Sequence, residues 1–225
     1  MFVPPELLGT GLTWAGNLLF ALLLAWTLRF APWRALSQPE RHNVLFGFCV
    51  VMLLLWTLRA GTGLDPRVHI LGATTFTLMF GRHLAALGLT LALLGMAISG
   101  AVEWSTFGVN ALLNAFLPVW FADRLWRLSE RYLPNHFFVY IFVVSFLGAA
   151  LAFALTAVAT FGVVSVATDA WGAGAGALFS DQFVPMVLLL MFGEAWLNGM
   201  AMTIFVVMRP AWVATFDDQR YLAGK

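Results

Sequence analysis

The chain has 225 residues, of which 61% are apolar, 15% aromatic and 10% charged, with a formal net charge of +1 and a mean hydropathy of +0.87. Soluble domains are about a quarter charged, so this composition excludes a water-soluble globule, a disordered chain and a basic nucleic-acid-binding face. The single cysteine, Cys49, excludes an intramolecular disulfide. An integral membrane protein with several spans is what remains.

A helix needs about 20 apolar residues to cross the hydrocarbon core of a bilayer. The first predicted span covers residues 12–28 and ends at Arg29, and the second covers 44–58 and ends at Arg59. A third, over 68–81, is short, about 21 Å if helical, and is followed by the polar pair Arg82 and His83. The fourth covers 84–101, and the fifth covers 107–121 with Asn110, Asn114 and Pro118 inside it. The sixth runs over 137–164 and the seventh over 183–208, with Glu194 and Asn198 near its middle. Residues 167–182, rich in Gly and Ala with Asp169 and Asp181, read as an external loop. The closing segment, with Arg209, Pro210, Thr215, Phe216, Asp217 and Asp218, reads as a solvated cytoplasmic end.

Charge sorts these spans by side. With the N-terminus outside, Arg29, Arg34, Arg41, Arg82, Arg124, Arg127, Arg131, Arg209, Arg220 and Lys225 all fall in cytoplasmic segments, and Arg59 and Arg67 stay outside. Trp26, Trp33, Trp104, Trp120, Trp126 and Trp212 stand mostly near span ends, as interfacial anchors do. The expectation is an all-α polytopic membrane protein, a single transmembrane domain over 1–225. It is a bundle of seven transmembrane helices with the N-terminus outside, the C-terminus cytoplasmic and a short third helix. No basic segment precedes the first span and no small-residue cleavage site follows it, so Met1 is expected to be the mature N-terminus.

Polar groups inside hydrocarbon are costly and point to function. Asn110 and Asn114 are spaced i,i+4 and share one helix face, as do Glu194 and Asn198. Two readings stay open for them: a polar pocket or substrate pathway, or hydrogen bonds between helices. Glu194 needs a partner if ionised at mid-membrane. His42, His83 and His136 fall at cytoplasmic span ends, whereas His69 opens the third span on the outer side, with the N-terminal amine. Two nitrogen donors on one side suit nickel, copper or cobalt, although spacing alone favours a hydrogen-bonded histidine. The only lysine, Lys225, excludes a retinal Schiff base in a late helix. Neither a Walker loop nor an HExxH or GxSxG motif is present, so an enzyme is not expected and the chain does not itself hydrolyse ATP.

Four segments together resemble the cobalt/nickel permeases of energy-coupling-factor transporters, the CbiM/NikM group. The opening Met-Phe-Val-Pro-Pro-Glu-Leu-Leu resembles that group's Met-His-Ile-Pro-Asp-Gly-Phe-Leu, and Val68 to Gly72 resembles its Val-His-Leu-Val-Gly. Phe107 to Asn114 is similar to its Leu-Gly-Ala-Asn-Xaa-Leu-Asn-Met, with the second Asn one residue later here. Glu194 to Gly199 resembles its Glu-Gly/Ala-Xaa-Xaa-Thr/Asn-Gly helix.

The resemblance implies a substrate-binding membrane subunit that captures a divalent metal at the outer face. In the family the N-terminal amine, the second residue's backbone nitrogen and histidine, and the third-helix histidine surround the ion. Carried over, Met1 supplies the amine and His69 the imidazole, while Phe2 stands where the family has its second histidine. Asn110 or an external carboxylate such as Glu103 would then complete the ligand set. The substrate expected is a divalent transition metal, nickel, cobalt or copper. It would bind near Met1, Phe2 and His69 and pass inward along Asn110, Asn114, Glu194 and Asn198. Besides the lipid bilayer, the partners implied are an ATPase pair and a transmembrane coupling subunit, in the inner membrane of a bacterium. The alternative, which Phe2 and the aromatic content favour, is a non-transporting accessory or assembly subunit of a larger membrane complex that keeps the permease-like fold.

Overall fold

The structure, a computed structural model, describes residues 1–58, 68–167 and 183–222. The predicted external loop beyond Ala167, and Arg59, Arg67 and Lys225, lie outside the described residues. Within them the regular elements are helical, as expected where every backbone N–H and C=O must find a partner inside the protein. In chain order these are α1 (Thr10–Phe30), α2 (Pro39–Thr57), α3 (Ala73–Ile98), α4 (Phe107–Ala111), α5 (Leu117–Tyr132), α6 (Gly148–Ala167), α7 (Phe183–Met208) and the short α8 (Asp218–Tyr221). A π-helical stretch, Leu112–Phe116, joins α4 to α5, and a second, Val139–Leu147, leads into α6. Four helical stretches are long and apolar enough to cross a membrane: Thr10–Phe30, Ala73–Ile98, Val139–Ala167 and Val184–Met208.

Helix α3 contains both the third and the fourth predicted spans, but it is not one straight rod. At Gly81 the backbone takes φ 76° and ψ 162°, a conformation that glycine adopts without steric cost. A Cβ placed on Gly88 would lie 2.5 Å from the Phe76 ring, yet residues twelve apart on a straight helix are separated by about 18 Å. The chain therefore doubles back at Gly81, and residues 73–80 pack against 82–98 as two limbs. The first limb is shorter than expected, because the helix begins at Ala73 and not at 68. It rises only about 12 Å, well short of a hydrocarbon core of about 30 Å. Residues 68–72 are left as non-helical backbone.

A helix that stops at a break leaves its last carbonyls without intrahelical partners. Here the C-terminal tail supplies them. Ala214 N donates to Met79 O at 3.0 Å, and Thr215 donates to Leu78 O from both its backbone nitrogen (3.2 Å) and its hydroxyl (2.8 Å). The expected solvated end is thus corrected: Thr215, Phe216 and Tyr221 are buried. The Phe216 and Tyr221 rings stack at 4.9 Å, and the Tyr221 hydroxyl donates to Glu130 at 3.2 Å. Burial pushes the Tyr221 phenol up to about 12. The tail is a cap, recruited because the fold-back at Gly81 exposes carbonyls that nothing local can satisfy.

Helix α1 is held to α4 by close approach. A Cβ on Gly16 would lie 2.4 Å from the Val109 side chain, and one on Gly108 would lie 2.6 Å from Asn17 Cα. Asn17 exploits the contact: its Oδ1 accepts from Gly108 N at 2.8 Å, and its Nδ2 donates to Ser105 O at 2.7 Å. Small residues at such crossings let two backbones approach and exchange hydrogen bonds. Gly108→Ala must push α1 off α4, because the obstacle is backbone, which cannot rotate away. We expect a loss of about 1–3 kcal/mol, read as a lower thermal midpoint of the purified protein in detergent. A variant as stable as its parent would show that the helices do not cross at this glycine.

Candidate metal centre

The two i,i+4 pairs that stand inside predicted spans each grip one piece of non-helical backbone. Asn110 holds the N-terminal segment as a strand neighbour would: its Oδ1 accepts from Val3 N at 2.8 Å, and its Nδ2 donates to Val3 O at 3.1 Å. Its second amide hydrogen goes to Thr106 Oγ1 at 3.1 Å. Asn114, one helical turn on, accepts from the Met1 amine through Oδ1 and donates to Met1 O at 2.9 Å and Asn110 O at 2.8 Å. Both asparagines are completely buried. Asn114 lies within the π-helical stretch Leu112–Phe116, a distortion that recurs at functional sites because it re-aims side chains.

Glu194 and Asn198 perform the same service for residues 71–75. Leu71 N and Gly72 N each donate to one oxygen of the Glu194 carboxylate at 2.7 Å. Asn198 Oδ1 accepts from Thr75 N at 2.9 Å and from Thr75 Oγ1 at 2.7 Å. Its Nδ2 donates to Glu194 O at 2.7 Å and to Glu194 Oε1 at 2.9 Å. Gly72, at φ 66°, precedes the first limb of α3 with no cap from its own side chain, so α7 caps that helix from outside. A carboxylate there also meets the positive end of the helix dipole. Glu194 is about 17 Å along α7 from Phe183, near the middle of the element.

His69 stands between these two grips, 1% exposed. Its Nδ1 faces Ile70 O at 3.0 Å. A carbonyl can only accept, so Nδ1 carries the ring proton and Nε2 presents a lone pair. That lone pair points at the Met1 amine, 2.7 Å away. Phe2 packs on the imidazole with ring centroids 4.3 Å apart, and Trp56 packs on it at 5.1 Å. The structure therefore brings together Met1, Phe2, His69 and Asn114, with Asn110 one turn behind and Glu194 and Asn198 supporting the segment that carries His69.

Other expected donors are elsewhere. Glu103 is exposed on the turn between α3 and α4, His83 accepts from Arg82 Nε at 3.2 Å, and His42 and His136 pack on Phe46 and Phe138. Among the described residues no group of three or more His, Cys, Asp or Glu side chains can hold a metal ion. Trp56, completely buried, was not legible as a site residue, because tryptophan near a span end has the signature of an interfacial anchor. Thr75 and Thr106 gave no signal either.

The bonds made by Glu194 define its role. In Glu194→Gln one amide N–H would face a backbone N–H, leaving two donors opposed in a buried site. We expect a lower thermal midpoint, by about 1–3 kcal/mol, together with weakened metal binding. An unchanged midpoint would show that Glu194 does not support the 68–75 segment.

Known proteins share the fold and the family of this chain. No curated protein matches the chain. A crystal structure of a transition metal transporter is similar in fold, with a TM-score of 0.77 at 14% identity, over 91% of this chain and 92% of that one. A second, of a truncated transition metal transporter, gives a TM-score of 0.74 at 15% identity, over 92% of this chain and 99% of that one. Residues 3–212 match the CbiM family, described as the cobalt uptake substrate-specific transmembrane region. The match takes in Asn110, Asn114, Glu194, Asn198 and His69, and the chain belongs to the CbiM family of metal-transport membrane proteins.

Proposed function

We propose that the chain is the substrate-binding subunit of a transporter for divalent cobalt or nickel, and that the ion binds at the outer face between the Met1 amine and His69. The observation that carries this is the 2.7 Å separation of the amine from His69 Nε2, with Nδ1 tied to Ile70 O. Two nitrogens each about 2.0 Å from one metal and at right angles to one another are about 2.8 Å apart. The pair is thus already spaced as neighbouring ligands. The Nδ1 bond is the outer-shell contact that orients a metal-binding imidazole. The backbone nitrogen of Phe2 follows the amine in the chain and would close a chelate ring. Asn114 Oδ1, already on the amine, offers the fourth donor.

In this reading seven spans place the N-terminus outside, and the ten cytoplasmic basic residues hold that orientation. The inward route runs along Asn110, Asn114, Glu194 and Asn198. All four are engaged by backbone at residues 1–3 and 71–75, so the route opens only when one of those segments moves. The chain carries no nucleotide-binding loop, and uptake depends on a separate ATPase pair and a coupling membrane protein.

The test is calorimetric titration of the purified protein with Co²⁺ and Ni²⁺. Adding one residue before Met1, and separately His69→Ala, should each weaken binding by roughly tenfold or more. Undiminished affinity in both variants would sink the proposal. Phe2→His should tighten Ni²⁺ binding, because it adds a nitrogen donor where an apolar ring now packs. Both donors bind the metal only when deprotonated, so affinity should fall as the solution is acidified. Affinity unchanged by acidification would exclude the amine–imidazole pair.

A further inference from the structure

A second built feature lies between α1 and α5. Helix α1 packs on α4 and α3 but touches α5 little, and the two diverge around a cavity of about 540 Å³. Its floor is apolar, formed among others by Leu23, Leu112 and Phe116, and its rim carries Trp26, Arg82, Trp120 and Arg124. From Leu112 to Arg124 the α4–α5 rod climbs about 18 Å, close to the depth of one bilayer leaflet, about 15 Å.

The rim is positive. Arg82 lies over the Trp26 ring at 5.7 Å and Arg124 over Trp120 at 5.5 Å. Asp123, the nearest carboxylate, is held by Arg127 at 2.9 and 3.1 Å and reaches Arg82 only at 3.7 Å. Arg124 is exposed and makes no ion pair among the described residues. No acidic side chain lines the cavity. The one nearby carboxylate is thus engaged by Arg127 and Arg82, and Arg124 is left uncompensated beside an apolar slot that opens sideways between two membrane helices. Each ring also holds its arginine at the level where tryptophan prefers to sit, the headgroup boundary.

We propose that this slot binds an anionic phospholipid of the cytoplasmic leaflet, with one acyl chain between α1 and α5 and the phosphate on Arg124 and Arg82. The charge selects the headgroup: a zwitterionic lipid fills the slot equally well but brings its own cation to a rim that is already positive. Basic pockets between membrane helices recognise anionic headgroups through this combination. The lipid closes a face that the helices leave open, and does so independently of any metal at His69.

The test uses the full chain purified in detergent and titrated with phosphatidylglycerol against phosphatidylcholine of the same acyl chains, counted by native mass spectrometry. The parent should prefer phosphatidylglycerol by about fivefold or more, the effect of roughly one basic residue at the membrane surface. Arg124→Ala should remove most of that preference, and Arg124→Lys should keep most of it. Leu23→Trp, which fills the slot, should abolish retention of both lipids. Equal binding of the two lipids by the parent overturns the proposal whether or not any variant folds. Preference undiminished in Arg124→Ala, or glycerol phosphate competing as well as the whole lipid, overturns it too.

Discussion

The structure depends on one carboxylate. Glu194 accepts from the backbone nitrogens of Leu71 and Gly72 at a depth where α7 is halfway along its length. A non-helical segment at that level has no water to satisfy it, and each orphan N–H there costs several kcal/mol. A buried carboxylate is itself expensive unless it is fully hydrogen-bonded. The two problems cancel: the charge receives two backbone donors and the Asn198 amide, and the segment receives its acceptors. With that anchor in place, the first limb of α3 can start at mid-bundle and His69 can sit just before it.

The same solution recurs at several other breaks in helical structure. Asn110 and Asn114 satisfy residues 1–3, Asn17 satisfies the start of α4, and Ala214 and Thr215 satisfy the end of the limb that stops at Gly81. In every case the partner comes from a distant part of the chain, because the broken elements are too short to carry caps of their own. Phe2 belongs to this economy in another way. Packed on His69 and, at 5.7 Å, on Trp56, it fixes the plane of the imidazole.

Much of this was legible in the sequence. Sparse charge isolated Glu194 and His69, and period and spacing put Asn110 with Asn114 and Glu194 with Asn198 on single helix faces. The polar interruption at Arg82 and His83 marks two helices within one long apolar run, and the backbone breaks beside it at Gly81. What sequence could not supply was the partner of each group. An amide that binds substrate and one that binds backbone have the same spacing, and only the tertiary path of residues 1–3 and 71–75 distinguishes them. The tail was misread for the same reason: Thr215 and Phe216 have an unremarkable composition, and their burial follows from carbonyls left bare by a break 130-odd residues earlier. The later second asparagine in the Phe107 to Asn114 motif falls where the helix widens to π geometry, a register change that periodicity treats as noise.

The doubled-back limb of α3 has a mechanical consequence. Its eight residues, 73–80, are a stiff strut with α7 fastened at one end and the tail that follows α7 at the other. A hydrogen-bonded helix resists stretching, so the strut can tilt or slide but not absorb a displacement along its axis. Any push on the segment around Thr215 is therefore delivered along the strut to the backbone that carries His69.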